Sequence, residues 1–234
     1  MLLLKHFSCI PIGHVYSGFS QKFGIPRQSG LIEGLESRFV FTPTFRVRDA
    51  VRGLEEYSHL WLIWQFSESV REEWSPTVRP PRLGGNKRVG VFATRSPFRP
   101  NPIGLSCVRL LRIDYDAPDG PVLYLEGADL LNGTPVYDIK PYLPHIDAHP
   151  QARGGFSEQT KGERLSVEIA PEMLAVLPAR LQDVVLRLLA QDPRPGYHSD
   201  PERIYGFSFY DFEIRFRVEE NRLIVIDIQS GPSV

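Results

Sequence analysis

Residues 87–105 read KRVGVFATRSPFRPNPIGL, and within them a strand pattern gives way to a proline-rich loop. The first part, residues 88–94, alternates apolar with small or aromatic side chains and predicts a buried strand. The second part, residues 94–102, holds three prolines, which fix backbone φ angles and leave little entropy to lose on binding. Its polar side chains include Arg95, Arg99 and Asn101. We therefore expect this proline loop to lie at the functional site.

The polar side chains of the proline loop suit the recognition of anions and bases. A guanidinium on a rigid backbone can bind carboxylate or phosphate through two parallel hydrogen bonds. The amide of Asn101 carries both donors and an acceptor, as the reading of an adenine edge requires. The alternative is a loop whose arginines only bond its own carbonyl groups.

Six further segments resemble strands, and mainly turns and loops join them, so this part of the chain predicts an antiparallel or mixed barrel or sandwich. They are residues 10–16, 38–41, 59–66, 103–113, 121–126 and 136–139. Residues 59–66, HLWLIWQF, are almost continuously apolar and predict a strand buried on both faces. The motifs GxGxxG, GxxxxGK[ST], HExxH and GxSxG are absent from the sequence, so a Rossmann nucleotide site is not supported.

Residues 151–163 are polar and small, and they predict a linker between a domain of residues 1–150 and a second domain of residues 164–234. The second domain combines a strand, helices and a C-terminal hairpin, which predicts a small α+β domain after a mainly β one. One helix carries an apolar stripe formed by Leu181, Val184, Val185, Leu188 and Leu189.

The composition, with 42% hydrophobic and 24% charged residues, is typical of a soluble globular protein. No apolar run has the length of a membrane span or of a signal-peptide core, so we expect no membrane insertion. Cys9 and Cys107 form no CxxC pair, and we expect both to be buried in a reducing compartment. These features predict a cytoplasmic protein.

The charge is unevenly distributed, although the net charge is only −1. Between Trp74 and Ile113 the sequence holds eight basic residues and no Asp or Glu. Such a local positive field favours a surface that binds phosphates. The alternative is that these arginines pair with acids distant in sequence.

Asp138, Lys140 and Tyr142 form a second polar cluster, and strand alternation places all three on one face. A carboxylate, an ammonium and a phenol side by side could serve acid and base chemistry. They could equally form a surface salt bridge.

Two histidine patterns are weaker. His145 and His149 have the spacing of one of the two ligand pairs of a zinc site. No second pair of ligands accompanies them, so we predict no metal. Ser58 and His59 could pair as nucleophile and base. Because adjacent residues of a strand point to opposite faces, we expect that these two side chains do not meet.

Six motifs carry a resemblance to a known family. They are PRQSGL at residues 26–31, VRGLEEYSHLW at 51–61, PTVRPPRLGGN at 76–86, GVFATRSPFRPNPIG at 90–104, NGTPVYDIKPYLP at 132–144 and DPRPGY at 192–197. Together they resemble the TrmO (TsaA-like) family of tRNA adenosine N6-methyltransferases over nearly the whole chain.

The resemblance implies a small, non-Rossmann β-barrel methyltransferase domain and S-adenosylmethionine as the cofactor. The implied reaction is N6-methylation of threonylcarbamoyl-adenosine at tRNA position 37, chiefly in threonine tRNA. The implied partners are the anticodon stem-loop of tRNA and a second copy of the chain, with the site near the subunit interface. The alternative function is a non-catalytic RNA-binding barrel, which would bind tRNA without the cofactor.

The resemblance and the clusters described above also assign roles to individual residues. The cofactor contacts that the resemblance implies are Ser29, Gly30, Leu31, Ser67, Glu68, Arg95, Leu105, Gly133, Thr134, Pro135 and Val136. The predicted substrate contacts are Arg27, Arg99, Asn101, Lys140, Arg194 and Tyr197. The candidates for acid and base chemistry are Asp138 and Tyr142.

Overall fold

The computed structural model describes residues 8–80, 83, 86–159, 164–194 and 200–231. The strands of its first part are β1 (Gly13–Tyr16), β2 (Glu36–Phe41), β3 (His59–Gln65), β4 (Thr77–Val78), β5 (Val89–Gly90), β6 (Ile103–Asp114), β7 (Val122–Glu126) and β8 (Thr134–Pro141). Six of them close an antiparallel barrel in the order β1-β2-β7-β6-β3-β8, while β4 and β5 pair separately. The predicted mainly β fold with a barrel is confirmed.

The aromatic strand β3 is buried on one face only, so the prediction of burial on both faces was wrong. Leu60 and Leu62 are fully buried inside the barrel, and Trp64 is nearly so, while the alternate residues are half-buried on the outer face. The reason is that an antiparallel barrel covers only the inner face of each strand.

The predicted strand at residues 88–94 was also largely wrong. Only Val89–Gly90 is extended, and a 3-10 turn at Val91–Ala93 follows it. Val91 is buried and bonds through its N–H to the carbonyl of Pro76, whereas Phe92 is 72% exposed. The alternation of residue types therefore marks one buried anchor before the proline loop.

The second part of the chain forms a four-stranded sheet with helices. Its strands are β9 (Ser166–Glu168), β10 (Tyr205–Phe209), β11 (Phe212–Glu219) and β12 (Arg222–Ser230), in the order β10-β11-β12-β9. The α-helices of the chain are α1 (Pro144–Asp147), α2 (Phe156–Gln159), α3 (Pro171–Leu174) and α4 (Ala179–Ala190). All five residues of the predicted apolar stripe on α4 are buried, which confirms that stripe.

The long connection between β1 and β2 belongs to both parts. Phe19, Ile32 and Leu35 lie in the hydrophobic core of the second sheet, together with α4, rather than in the barrel core. Phe23 and Ile25, between them in sequence, also pack against that second core, whereas the N–H of Gly30 donates to the carbonyl of Gly127, directly after β7 of the barrel. Part of the predicted linker, residues 160–163, lies outside the described residues.

Among the described residues, no helix has the length and apolarity needed to cross a membrane. The expectation that both cysteines are buried was wrong. Cys9 is exposed because it lies ahead of β1, and Cys107 is half-buried because its strand position faces out of the barrel.

Candidate active site

A cavity of about 770 Å³ opens where the barrel meets the connection between β1 and β2. Residues of four segments far apart in sequence line it, within 22–28, 64–69, 92–105 and 129–134. A concave site of this size can enclose a ligand of several hundred daltons. The predicted site residues that line it are Arg27, Ser67, Glu68, Arg95, Arg99, Asn101, Leu105 and Thr134. The fold thus gathers residues of separate motifs into one site.

The proline loop is held in shape by its own hydrogen bonds. The hydroxyl of Thr94 donates to the Val91 carbonyl at 2.8 Å, and the Arg99 guanidinium donates to the Thr94 carbonyl at 3.3 Å. The N–H of Phe66 donates to the Pro102 carbonyl at 2.9 Å, which ties the loop to the end of β3. Arg99 therefore bonds its own loop while it lines the cavity.

Polar side chains join the loops across the cavity. The guanidinium of Arg95 donates to the side-chain oxygen of Gln28, whose amide donates to the carbonyl of Arg27. On the rim, the ammonium of Lys22 donates to the Glu68 carbonyl at 2.7 Å and lies 3.7 Å from its carboxylate. Gln28, in the PRQSG segment, therefore holds the guanidinium of Arg95 in position.

Asp129 is a cavity residue that the sequence reasoning missed. The indole N–H of Trp64 donates to the Ser106 hydroxyl at 3.0 Å, and that hydroxyl donates to Oδ1 of Asp129 at 2.6 Å. Burial raises the pKa of Asp129 above its ordinary value, against the hydrogen bond from Ser106 and the charge of Arg95. The sequence signal that could have revealed it is an acidic residue between the apolar residues Ala128 and Leu130. In the structure both of these neighbours are 1% exposed.

Several predicted cofactor residues are not among those that line the cavity. The N–H of Cys107 donates to the Ser29 hydroxyl at 3.1 Å, and the N–H of Gly30 donates to the Gly127 carbonyl at 2.8 Å. Gly127 has φ 81°, and a Cβ there would meet the Gly30 backbone at 3.1 Å, so the two segments approach too closely for a side chain. Of the remainder, Leu31 is exposed, Val136 is buried in the barrel core, and Gly133 and Pro135 flank the lining residue Thr134.

The cluster of Asp138, Lys140 and Tyr142 shares one face, as predicted, but it lies outside the described cavity lining. Asp138 and Lys140 form an ion pair at 2.8 Å on the outer face of β8, and the hydrogen bond to Asp138, followed by its charge, raises the pKa of Lys140. The ring of Tyr142 lies 5.7 Å from that of Trp61. The geometry matches the surface salt bridge that was one of the two alternatives.

The predicted substrate residue Arg194 is paired inside the second part of the chain. Its guanidinium donates to both carboxylate oxygens of Asp192, at 2.8 and 3.0 Å. The carbonyl of Asp192 in turn accepts from Arg27 at 2.7 Å, so this turn contacts the cavity wall. Tyr197 lies outside the described residues.

The expectation that Ser58 and His59 do not meet was wrong. The Ser58 hydroxyl lies 2.9 Å from Nδ1 of His59. Ser58 precedes β3, so strand alternation does not govern its direction. Both residues lie outside the described cavity lining, and the described residues hold no group of three or more His, Cys, Asp or Glu that could bind a metal.

Four arginines of the basic stretch have contrasting surroundings. Arg109 pairs at 3.1 Å with Glu126, 17 positions away, as the alternative of pairing with distant acids requires, whereas Arg112 pairs at 3.6 Å with Asp114 of its own strand. Arg95 and Arg99 instead line the cavity.

Comparisons with known proteins agree over most of the chain. The family model described as "tRNA-methyltransferase O N-terminal domain" matches residues 14–148, and that described as "TrmO C-terminal domain" matches residues 162–231. The tRNA (adenine(37)-N6)-methyltransferase of Escherichia coli strain K12 is 41% identical over 225 residues, which cover 93% of this chain and 95% of that protein.

Two further similarities come from Pseudomonas aeruginosa. The protein named "Putative S-adenosylmethionine-dependent methyltransferase RcsF" is 38% identical over 244 residues, covering 96% of this chain and 98% of that protein. A crystal structure of TrmO superimposes with a TM-score of 0.79 and 34% identity, covering 99% of this chain and 100% of that chain.

Proposed function

The chain belongs to the tRNA-methyltransferase O family, and we propose that it methylates N6 of adenine 37 in tRNA with S-adenosylmethionine as the methyl donor. The observation that carries this function is the cavity that unites Arg95 and Leu105 with Ser67 and Glu68. These residues come from separate motifs and meet only in the folded chain.

The residues of the cavity fit S-adenosylmethionine chemically. The guanidinium of Arg95 suits the carboxylate of the cofactor, and the carboxylate of Glu68 suits its cationic groups. Phe66 and Leu131 supply apolar walls for the adenine ring. When bound, the cofactor supplies a methyl group already activated by its sulfonium. The chain has to orient the acceptor nitrogen and exclude water.

The mouth of the cavity suits an RNA loop. Phe92 is 72% exposed, Trp74 lies 6.1 Å from its ring, and Arg71 stacks 3.7 Å over Phe98. Exposed aromatic rings bind unstacked bases with about 1–3 kcal/mol each. We therefore place the anticodon stem-loop over this rim, with the proline loop below it.

The acceptor we propose is threonylcarbamoyl-adenosine, chiefly in threonine tRNA, because its carboxylate suits the guanidinium of Arg99. We also propose a homodimer, since Ile103 and Leu105 are 49% and 55% exposed beside the cavity and a second copy would cover them. In this proposal residues 1–150 carry the methyl transfer, residues 164–234 contact tRNA, and the enzyme works in the cytoplasm.

Two measurements test the function. Calorimetric titration with S-adenosylmethionine should give saturable binding, and nucleoside mass spectrometry of tRNA incubated with protein and cofactor should find a new methyl group on N6 of adenosine 37. Binding of tRNA with no affinity for the cofactor would instead identify a non-catalytic RNA-binding barrel.

A further inference from the structure

Asp129 is the inner acid of the cavity. Among the described residues that line it, the acids are Glu68 and Asp129. The side chain of Glu68 is 59% exposed on the rim and lies against Lys22. Asp129 instead sits between the buried residues Ala128 and Leu130, on the connection from β7 to β8. A carboxylate in that position can contact a bound molecule away from bulk water.

The orientation of the Asp129 carboxylate is set by a short hydrogen-bonded series. Ser106 is 1% exposed and donates to Oδ1 at 2.6 Å, and its own oxygen accepts from the indole of Trp64 at 3.0 Å. Because an indole N–H only donates, the direction of both bonds is fixed. Ser106 therefore has its proton on the carboxylate side, and Oδ1 of Asp129 accepts it.

Burial and the groups around Asp129 shift its pKa in opposite directions. The groups that face the cavity with it are Lys22, Arg27, Glu68, Arg95 and Arg99. The pKa of Asp129 is raised first by burial and is lowered by the hydrogen bond from Ser106, by backbone N–H groups and by the charge of Arg95. A carboxylate with a raised pKa is a stronger base than an ordinary carboxylate.

We infer that Asp129 is the catalytic base that accepts the N6 proton of the acceptor adenosine, an inference that rests on the function proposed above. The N6 lone pair forms the new bond to the methyl carbon, and the carbon–sulfur bond breaks with its electron pair kept by sulfur. The N6–H proton passes to the Asp129 carboxylate and then to water. One cationic sulfonium and one carboxylate thus become a neutral thioether and a carboxylic acid, so charge and protons balance.

The geometry favours Asp129 over the base that the sequence suggested. Asp138 is ion-paired with Lys140 on the outer face of the barrel and lies outside the described cavity lining. Asp129 lines the cavity that also holds Arg95 and the proline loop.

The test combines binding, single-turnover transfer and pH dependence in the full-length protein. Asp129→Asn keeps an oxygen that can accept from Ser106, so we expect the same thermal unfolding and a cofactor Kd within about threefold of the parent, with single-turnover transfer reduced 10²–10⁴-fold. Asp183→Asn, on the exposed face of α4, is the matched control and should change none of these. Ser106→Ala removes a bond that lowers the pKa of Asp129, so the acid limb of the rate profile should move to higher pH.

The outcomes distinguish a failure of the proposed catalytic base from a failure of the proposed function. Parent-like transfer by Asp129→Asn, or loss of cofactor binding in a folded Asp129→Asn protein, would overturn the base while methylation by the parent stands. Loss of the acid limb in Asp138→Asn but not in Asp129→Asn would do the same. Absence of methylation by the parent protein would overturn the proposed function and the base with it.

Discussion

Gly104 on β6 sets the position of Trp64 and hence of the cavity floor. The indole of Trp64 lies directly against Gly104, and a Cβ built there would overlap the ring. Gly104→Ala should therefore displace the indole from the Ser106 hydroxyl and cost about 1–3 kcal/mol of unfolding free energy through overpacking. Urea denaturation followed by tryptophan fluorescence measures the loss, and calorimetry should show weaker cofactor binding.

The control for Gly104→Ala is Gly90→Ala. Gly90 has an ordinary φ of −57°, and a Cβ there meets nothing within 4 Å. We expect a change within about 0.5 kcal/mol. Equal losses in the two variants would show that the indole does not depend on Gly104.

Asp147 couples stability to pH at the residue scale. Its pKa is lowered, first by the backbone N–H of Leu143 and then by the indole of Trp61, which donate to Oδ2 at 2.9 and 3.0 Å. A depressed pKa means that the carboxylate stabilises the fold above its unfolded pKa of about 4, and that this contribution is lost as pH falls through the lower folded value. Asp147→Asn should therefore lower the urea midpoint at pH 7 and have no effect near pH 2. A deficit that is equal at both pH values would contradict this linkage.

At the scale of elements, the turn after α4 holds the cavity loop that contains Arg27. Arg194 fixes the carboxylate of Asp192, and the carbonyl of Asp192 accepts from Arg27. Arg194→Ala should free this turn, lower the unfolding temperature and weaken cofactor binding several-fold, as calorimetry would measure. Arg217→Ala, which breaks the surface pair with Glu219 at 2.9 Å, should have little effect on either quantity.

The same variant tests the role predicted from the sequence. If Arg194 contacts tRNA, Arg194→Ala should weaken tRNA binding at unchanged stability and unchanged cofactor affinity. A gel-shift titration beside the calorimetry separates the two roles.

The sequence predicted best those elements whose structure depends least on residues distant in the chain. The apolar stripe of α4 follows from helical periodicity alone. The strand at residues 88–94 could not be separated from a turn, because the alternation of residue types does not reveal the bonds from the Thr94 N–H and hydroxyl to the Val91 carbonyl that close the turn. Asp129 was missed for a related reason: its partner Ser106 lies 23 positions away in β6, and Trp64, which bonds to Ser106, lies a further 42 positions away in β3. Cross-strand pairing that brings such residues together is not encoded in local pattern.

At the scale of the whole molecule, the connection between β1 and β2 makes the two parts interdependent. It places Phe19, Ile32 and Leu35 in the core that α4 covers, and its residues 25–28 line the cavity. We therefore expect one cooperative unfolding transition, and S-adenosylmethionine at 100 times its Kd should raise the unfolding free energy by about 2.7 kcal/mol. Leu189→Ala, at a fully buried position of α4, should lower the free energy of unfolding in the same transition by about 2–5 kcal/mol. Two calorimetric transitions, of which the cofactor shifts only one, would instead show that residues 1–150 and 164–234 unfold as independent domains.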